Sequence, residues 1–381
     1  MKTRAAVLET IGLPAPYAQS RPLRIREVEL APPGPGEVLI RVRAAGLCHS
    51  DLSVVSGDRP RPVPMVLGHE SAAEVVECGA GVSAGAGGLR PGDRVVLVFM
   101  PSCGGCMPCM EGRPALCEPG ATSNGAGTLL SGERRLSLDG VAVNHHVGVS
   151  CFADYAVVSQ RSCVKIDLSE AELSHAEAAL FGCAVLTGAG AVINTARVQA
   201  GSSVAVLGLG GVGFSALLAA LASGAREVVA IDLNDAKLEL ARELGATACV
   251  NAAAPDAAEQ VRALTRGGVD YAFEMAGAIA AMELAWRITR RGGSTISAGL
   301  PHPDKRFALP PVQLVAEERT LRGSYIGSAV PARDIPRYID LYRRGKLPVD
   351  RLMGERLALE DINLGFDRLA SGHALRDVVV F

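Results

Sequence analysis

The sequence predicts an α/β protein with two domains, one β-rich and one built on a doubly wound parallel sheet. Three observations predict this. At 381 residues the chain is long for a single core. Before about residue 185 it is dominated by short β-like runs, and between about Val185 and Tyr325 it alternates strand and helix. Such alternation builds a parallel sheet covered by helices on both faces. Finally, a glycine-rich turn, Gly208 to Gly213, joins a strand to a helix inside the alternating half.

In the first half, Glu37–Arg43 (EVLIRVR) alternates Val38, Ile40 and Val42 with other residues, as a half-buried strand does. Ala73–Glu77, Arg94–Phe99 and Phe152–Val158 are similar. In the second half, Ser203–Leu207 is an apolar strand, followed by a helix over Gly211–Ser223. Glu227–Leu233 is the next strand, then Asn234 or Asp235 caps a helix that Gly245 ends. Ala248–Asn251, Val269–Glu274 and Ser294–Ala298 continue the series, with helices near Asp256–Thr265 and Ile279–Arg290. A helix over Ala332–Arg344 and a last strand, Arg376–Phe381, close the chain. Gly120–Gly140, rich in Gly and Ser, reads as a loose segment.

Forty acidic and 38 basic residues leave a net charge of −2 and no basic run, which argues against nucleic acid as a partner. The N-terminus MKTRAAVLET lacks the apolar core of an export signal. A cytoplasmic location is expected, where ten cysteines serve metals rather than disulfides. Val198–Ala225 carries no charge, but its six glycines divide it into a short strand and a helix. It reads as buried core, not as a membrane span.

Gly208-Leu209-Gly210-Gly211-Val212-Gly213 is a GxGxxG run, a weak signal alone. Here it follows a strand, opens a helix, and precedes Asp232 at the end of the next strand, the pattern of a dinucleotide site. Gly208 permits the tight turn, Gly210 lets backbone approach a pyrophosphate, and Gly213 lets helix and strand pack closely. The helix N-terminus faces the phosphate charge. Asp232 would accept hydrogen bonds from the adenosine ribose and repel a 2′-phosphate, favouring NAD over NADP. Asp232→Gly should relax that preference, read as the NAD/NADP ratio of kcat/KM.

Cys103, Cys106, Cys109 and Cys117 lie in CGGCMPCMEGRPALC, among glycines and prolines that exclude helix and strand. Two-residue gaps turn successive thiolates inward on a tight loop, and the longer arm returns a fourth sulfur. A closed Cys₄ shell suits structural Zn²⁺. An iron–sulfur cluster is the alternative, but its common run ends in Cys-Pro after a three-residue gap, which is missing here. A second constellation is scattered: Cys48 in GLCHSD, His69 in LGHE and Cys183 in FGCAVLTG. Each alone is ambiguous. Together they offer two thiolates and an imidazole, a three-ligand shell that leaves zinc an open position.

Taken together, GHE, the four-cysteine lobe, GCAVLTG, GLGGVG with Asp232, and GSYIGS cover essentially the whole chain, which resembles a zinc-dependent alcohol dehydrogenase of the medium-chain dehydrogenase/reductase family. The resemblance implies a GroES-like catalytic domain over 1–184 and 326–381, with a structural zinc lobe at about 100–120. It implies a Rossmann NAD-binding domain over 185–325, with the active site in the cleft between the two. Gly120–Gly140 resembles the insertion of the longer members, which implies a homodimer paired through the coenzyme domains.

By motif, the resemblance implies two zinc ions per chain. Cys48, His69 and Cys183 would hold the catalytic one, and Cys103, Cys106, Cys109 and Cys117 the structural one. Glu70 would lie behind the catalytic metal, and Asp51 would accept the other imidazole N–H of His69. Ser50 would bond the substrate hydroxyl and conduct its proton away as hydride passes to NAD. His49 and Arg376 would meet the pyrophosphate, Lys237 and Asp232 the ribose, Val212 and Thr187 the nicotinamide, and Phe99 would line the substrate pocket.

Two features depart from relatives. Ser53 stands where the liver-type enzymes carry a proton-relay histidine, leaving His49 as another candidate for that step. Arg59 stands where glutathione-dependent formaldehyde dehydrogenases have an acidic residue, which argues against S-(hydroxymethyl)glutathione as substrate. Arg59 and Arg61 could instead guide an acid-bearing alcohol, although arginines beside prolines are more often simply solvated. That formaldehyde dehydrogenase and a non-catalytic NAD-binding protein are the alternative functions. A zinc-free reductase of the same superfamily would lack both cysteine sets. His145, His146, His175, His302 and His373, Cys78, Cys151, Cys163 and Cys249, and Trp286 read as packing or surface residues.

Overall fold

The computed structural model describes residues 1–82, 88–372 and 375–381. It divides into two compact units, one of 1–183, 330–336 and 350–381, the other of 184–329 and 337–349. Arg337–Val349 thus sits with the middle of the chain, not with the C-terminal block where the sequence reading put it. The Tyr338 hydroxyl accepts a bond from Asn194 at 3.2 Å, tying that helix to its unit.

Among its described residues, the first unit carries a closed barrel of Lys2–Leu8, Leu23–Leu30, Leu136–Leu138, Val141–His145 and Met65–Val66. It also carries a seven-stranded sheet centred on Glu37–Gly46, which pairs with Ser71–Cys78, Tyr155–Ser159 and Val378–Val380. Val38, Ile40 and Val42 point into one core, where Phe152 meets Phe366 edge-on at 6.1 Å. Phe366 comes from the late helix Ile362–Ala370 and is fully buried. Removing a ring of that kind costs about 3–5 kcal/mol.

Gly120–Gly140 is not loose. A helix covers Glu118–Ala126, and a strand, Leu136–Leu138, joins the barrel. The Cys117 sulfur accepts the Gly120 N–H at the helix start, and Gly127, at φ 69°, ends it. The Thr122 and Ser123 hydroxyls bond the carbonyls four residues back, so polar residues that read as a loop sit on a capped helix.

In the second unit every strand pair is parallel, in the order Ala248–Asn251, Glu227–Asp232, Ser203–Leu207, Val269–Glu274, Thr289–Ser297, Thr320–Gly323. This is the 3-2-1-4-5-6 order of a doubly wound dinucleotide fold. The uncharged helix Gly211–Ala222 buries nine of its twelve residues inside it. Among the described residues no single helix is long and apolar enough to cross a membrane.

Candidate active site

The first unit's strand Glu37–Gly46 runs into Cys48, the N-cap of the helix His49–Ser56. That junction sets out four neighbouring side chains differently: Cys48 and Asp51 are buried, Ser50 is half-buried and His49 is exposed. His69 enters from a second strand end. Gly68 before it has φ 92°, and a Cβ there would lie 2.7 Å from the Phe152 nitrogen, so only glycine fits this turn. Cys183 arrives from the far end of the unit.

The ligand atoms of Cys48, His69 and Cys183 all lie within 4.8 Å of one another, and all three residues are buried. Cys183 Sγ is 3.4 Å from His69 Nε2. The opposite nitrogen, Nδ1, faces Asp51 at 3.0–3.1 Å from both carboxylate oxygens. Asp51 also accepts the Gly68 N–H at 3.0 Å. Burial alone would raise the Asp51 pKa, but His69 and His146 outweigh it and hold the group at about 2. Asp51 is therefore an anion that fixes which nitrogen of His69 carries the proton, leaving Nε2 free to bind a metal.

Glu70 is fully buried, and neither of its carboxylate oxygens finds a hydrogen bond. Burial raises its pKa to about 7 despite Arg376, whose Nε lies 3.5 Å away. Arg376 is itself buried and donates to the Leu47 carbonyl at 2.7 Å. The Phe99 ring stands edge-on to His69 with centroids 5.3 Å apart, forming an apolar wall. Ser53 spends its hydroxyl on the His49 carbonyl at 2.8 Å, a bond internal to the helix.

Cys103, Cys106, Cys109 and Cys117 also converge within 4.8 Å. Cys106 and Cys117 have sulfurs 3.9 Å apart, against about 3.8 Å for two thiolates sharing a tetrahedral zinc. Backbone N–H groups of Gly105 and Cys106 point at the Cys103 sulfur, and those of Cys103 and Gly120 at that of Cys117. Such donors stabilise thiolate charge, so this donor set fits the metal.

In the second unit a cavity of about 500 Å³ is lined by Gly208, Asp232, Leu233, Ala254, Ala276 and Arg287, among others. A Cβ on Gly213 would lie 1.8 Å from the Gly208 carbonyl oxygen, so the turn and the helix Gly211–Ala222 approach this closely because residue 213 is glycine. Beside Gly210 nothing lies within 4 Å of an added Cβ, which leaves bare backbone at the helix N-terminus, as a pyrophosphate needs. Asp232 accepts the Leu209 and Asn234 N–H groups at 2.6 and 2.9 Å, holding the turn against the next strand. Lys237 follows in the first turn of the helix Asp235–Glu243. Val212 and Thr187 are half-buried on the helices Gly211–Ala222 and Ala184–Gly190.

The structure corrects one reading. His146, taken from sequence as a packing residue, places Nδ1 3.1 Å from Asp51 and its ring 5.5 Å from that of His69. No motif could have revealed this, because Asp51 and His146 meet only through the fold. His145 is structural: its Nε2 accepts the Arg135 N–H at 3.0 Å, and burial lowers its pKa to about 4. His175 pairs with Glu170, His302 is exposed beside Asp304, and His373 lies outside the described residues. Cys151 is buried, while Cys78, Cys163 and Cys249 are half-buried. Trp286 is buried, donating to Gln313 at 2.7 Å beneath Arg319.

Two family models match the chain. One, described as an alcohol dehydrogenase GroES-like domain, matches residues 34–168; the other, a zinc-binding dehydrogenase, matches 211–344. An S-(hydroxymethyl)glutathione dehydrogenase of Synechocystis sp. is 37% identical over the full length of both chains. Among solved structures, an alcohol dehydrogenase zinc-binding domain protein from Burkholderia ambifaria matches at TM-score 0.91 and 34% identity, covering 100% of this chain and 99% of that one. Benzyl alcohol dehydrogenase from Acinetobacter calcoaceticus matches at TM-score 0.90 and 31% identity with the same coverage.

Proposed function

The chain belongs to the medium-chain zinc-dependent alcohol dehydrogenases, and from that premise we propose that it is a cytoplasmic homodimer acting on alcohols not conjugated to glutathione. Members of the family oxidise an alcohol reversibly to an aldehyde or ketone with hydride transfer to NAD, and zinc is their metal. The observation that carries the reading is the convergence of Cys48, His69 and Cys183, with Asp51 behind the imidazole.

In this reading the first unit does the chemistry and the second holds NAD. Cys48, His69 and Cys183 would hold zinc, which when bound would supply a Lewis acid for the substrate oxygen. Ser50, half-buried at the start of its helix, would bond the substrate hydroxyl and relay its proton onward, passing on its own hydroxyl proton as it accepts the substrate's. With Ser53 committed to the His49 carbonyl, the proton leaves through other groups, and exposed His49 is the nearest in sequence. Gly208, Gly210, Gly211 and Gly213 would cradle the pyrophosphate and Asp232 and Lys237 would take the ribose, while the role of Arg376 at the pyrophosphate is what the family resemblance implies. Phe99 gives the substrate pocket its apolar wall, and Val212 and Thr187 abut the nicotinamide. Cys103, Cys106, Cys109 and Cys117 brace the fold through a closed zinc.

The dimer is supported by Thr320–Gly323, the outermost strand of its sheet, exposed at all four residues. An unprotected edge of that kind is a template for pairing. Val312 and Val315, on the helix Pro311–Ala316 that precedes it in sequence, are 68% and 80% exposed and offer apolar surface for such a contact. Light scattering that gave a tetramer would refute it.

A second reading, S-(hydroxymethyl)glutathione dehydrogenase, is favoured by the full-length similarity to proteins of that name. Arg59 argues against it. One experiment separates the two: NADH formation from benzyl alcohol, other primary and secondary alcohols, ω-hydroxy acids, and formaldehyde with and without glutathione. Turnover of free alcohols unaffected by glutathione supports the first reading. Activity seen only with formaldehyde and glutathione establishes the second. Comparable kcat/KM for neutral alcohols and ω-hydroxy acids removes any selective role for Arg59 and Arg61.

A further inference from the structure

The loop after the strand Val141–His145 is bent against its own preferences. Val147 has φ 43° and Ser150 φ 54°, with Gly148 at 70° between them. Left-handed backbone is unfavourable for a residue with a Cβ, most of all a β-branched one, and persists only where the surroundings over-determine it. They do so here. The Ser150 hydroxyl accepts the His146 N–H at 2.8 Å and donates to the Val66 carbonyl at 2.9 Å. Cys151 and Phe152 donate to the carbonyls of Gly68 and Leu67. The loop is thus fastened to the segment that delivers His69.

What the bend presents is the His146 ring. It is 3% exposed, with Nδ1 3.1 Å from Asp51 Oδ1, a contact short enough for a hydrogen bond though loosely aligned. Catalytic hydrogen bonds are often loose in a site without its ligands. The ring also stands nearly perpendicular to that of His69, at 80°. Neighbouring His145 faces Arg135 instead, so the two histidines do separate work.

We propose that His146 is a positioning residue for the catalytic zinc: it donates Nδ1–H to Asp51 and locks that carboxylate against His69. The proposal rests on the reading of Cys48, His69 and Cys183 as zinc ligands. Asp51 is buried and accepts the Gly68 N–H, with His69 Nδ1 3.0 Å and His146 Nδ1 3.1 Å from its carboxylate. The carboxylate offers acceptors, so an imidazole nitrogen facing it at that distance is favourable only as an N–H, which assigns the proton to Nδ1 of His146. Without that donor the carboxylate loses one side of its clamp, and His69 loses its fixed orientation.

The test uses holoenzyme challenged with the chelating dye 4-(2-pyridylazo)resorcinol, following zinc release in time. The catalytic phase is the one missing from Cys48→Ser. His146→Leu should speed that phase about tenfold or more and leave the other phase unchanged. His146→Asn, whose amide N–H can take the place of Nδ1, should stay within about threefold of wild type. Unchanged catalytic release in His146→Leu overturns the proposal, as does equal acceleration in the leucine and asparagine variants, which lost packing alone would give. If Cys48→Ser removes neither phase, the ligand assignment itself falls and takes the proposal with it. Should His146→Leu fail to fold, ¹⁵N spectra of the wild-type imidazoles still decide: an Nε2–H tautomer at His146 overturns the assignment.

Discussion

Cys103, Cys106, Cys109 and Cys117 converge through one short segment, three of them half-exposed, with its own backbone N–H groups aimed at the Cys103 and Cys117 sulfurs. It holds two helical turns, Met107–Met110 and Pro114–Leu116, although its glycines and prolines predict neither helix nor strand. Cys48, His69 and Cys183 converge from three distant stretches, all buried, and Asp51 and His146 stand behind them. The first constellation is a product of local spacing, the second a product of the whole fold. Local spacing produces a closed shell, which braces. The dispersed set leaves a position open, and its geometry depends on groups that are not ligands.

That contrast can be broken most directly at Cys48. Cys48→Ser should reduce kcat/KM to below about one thousandth of wild type, about 4 kcal/mol of transition-state stabilisation, and lower zinc from two to one per chain. Circular dichroism should be unchanged; a wild-type rate would remove Cys48 from the chemistry. Asp51→Asn tests the supporting layer. It should cost about 10–100-fold in activity or in affinity for the catalytic zinc, with the other zinc retained in metal analysis. Loss of both metals would mean that the two sites are not independent.

Cys103→Ser should act on stability. A Tm lower by on the order of 5–10 °C is expected in calorimetry, with kcat per folded molecule near wild type. A large fall in kcat without a shift in Tm would reverse the two roles. Smallest of all, Met107→Thr should change stability by no more than about 0.5 kcal/mol, because Met107 is 62% exposed. A larger change in denaturant melts would show that the lobe packs against more than its own loop.

The same contrast governs what the sequence made legible. The strands Ser203–Leu207, Ala248–Asn251 and Val269–Glu274 fall at the residues the sequence indicated, and Ser203–Leu207 is buried at every residue, as a parallel strand covered on both faces is. Lys2–Leu8 and Leu23–Leu30 escaped notice. The latter carries Arg24 and Arg26 on one face and Glu27 and Glu29 on the other, so charge interrupts both faces and hides its β pattern. Glu118–Ala126 escaped because its helix depends on a cysteine cap, not on an apolar stripe. At the site, the ligand cysteines and His69 stood in readable motifs. His146 did not, since its partner is set by a bent loop and by Ser150, neither of which leaves a pattern along the chain.

The first unit is stitched from both ends of the polypeptide. Leu23 exchanges hydrogen bonds with Asn363, Arg4 reaches Glu360, and Glu37–Gly46 pairs with Val378–Val380. A ribosome delivers those partners after the whole of the second unit's sheet has emerged. The parallel sheet can therefore settle while synthesis continues, whereas the central strand of the metal-bearing unit waits for its neighbour until the closing residues appear. Contacts so far apart in sequence close slowly. Chain order thus lets the coenzyme fold close before the metal-bearing unit has received its partner strand Val378–Val380.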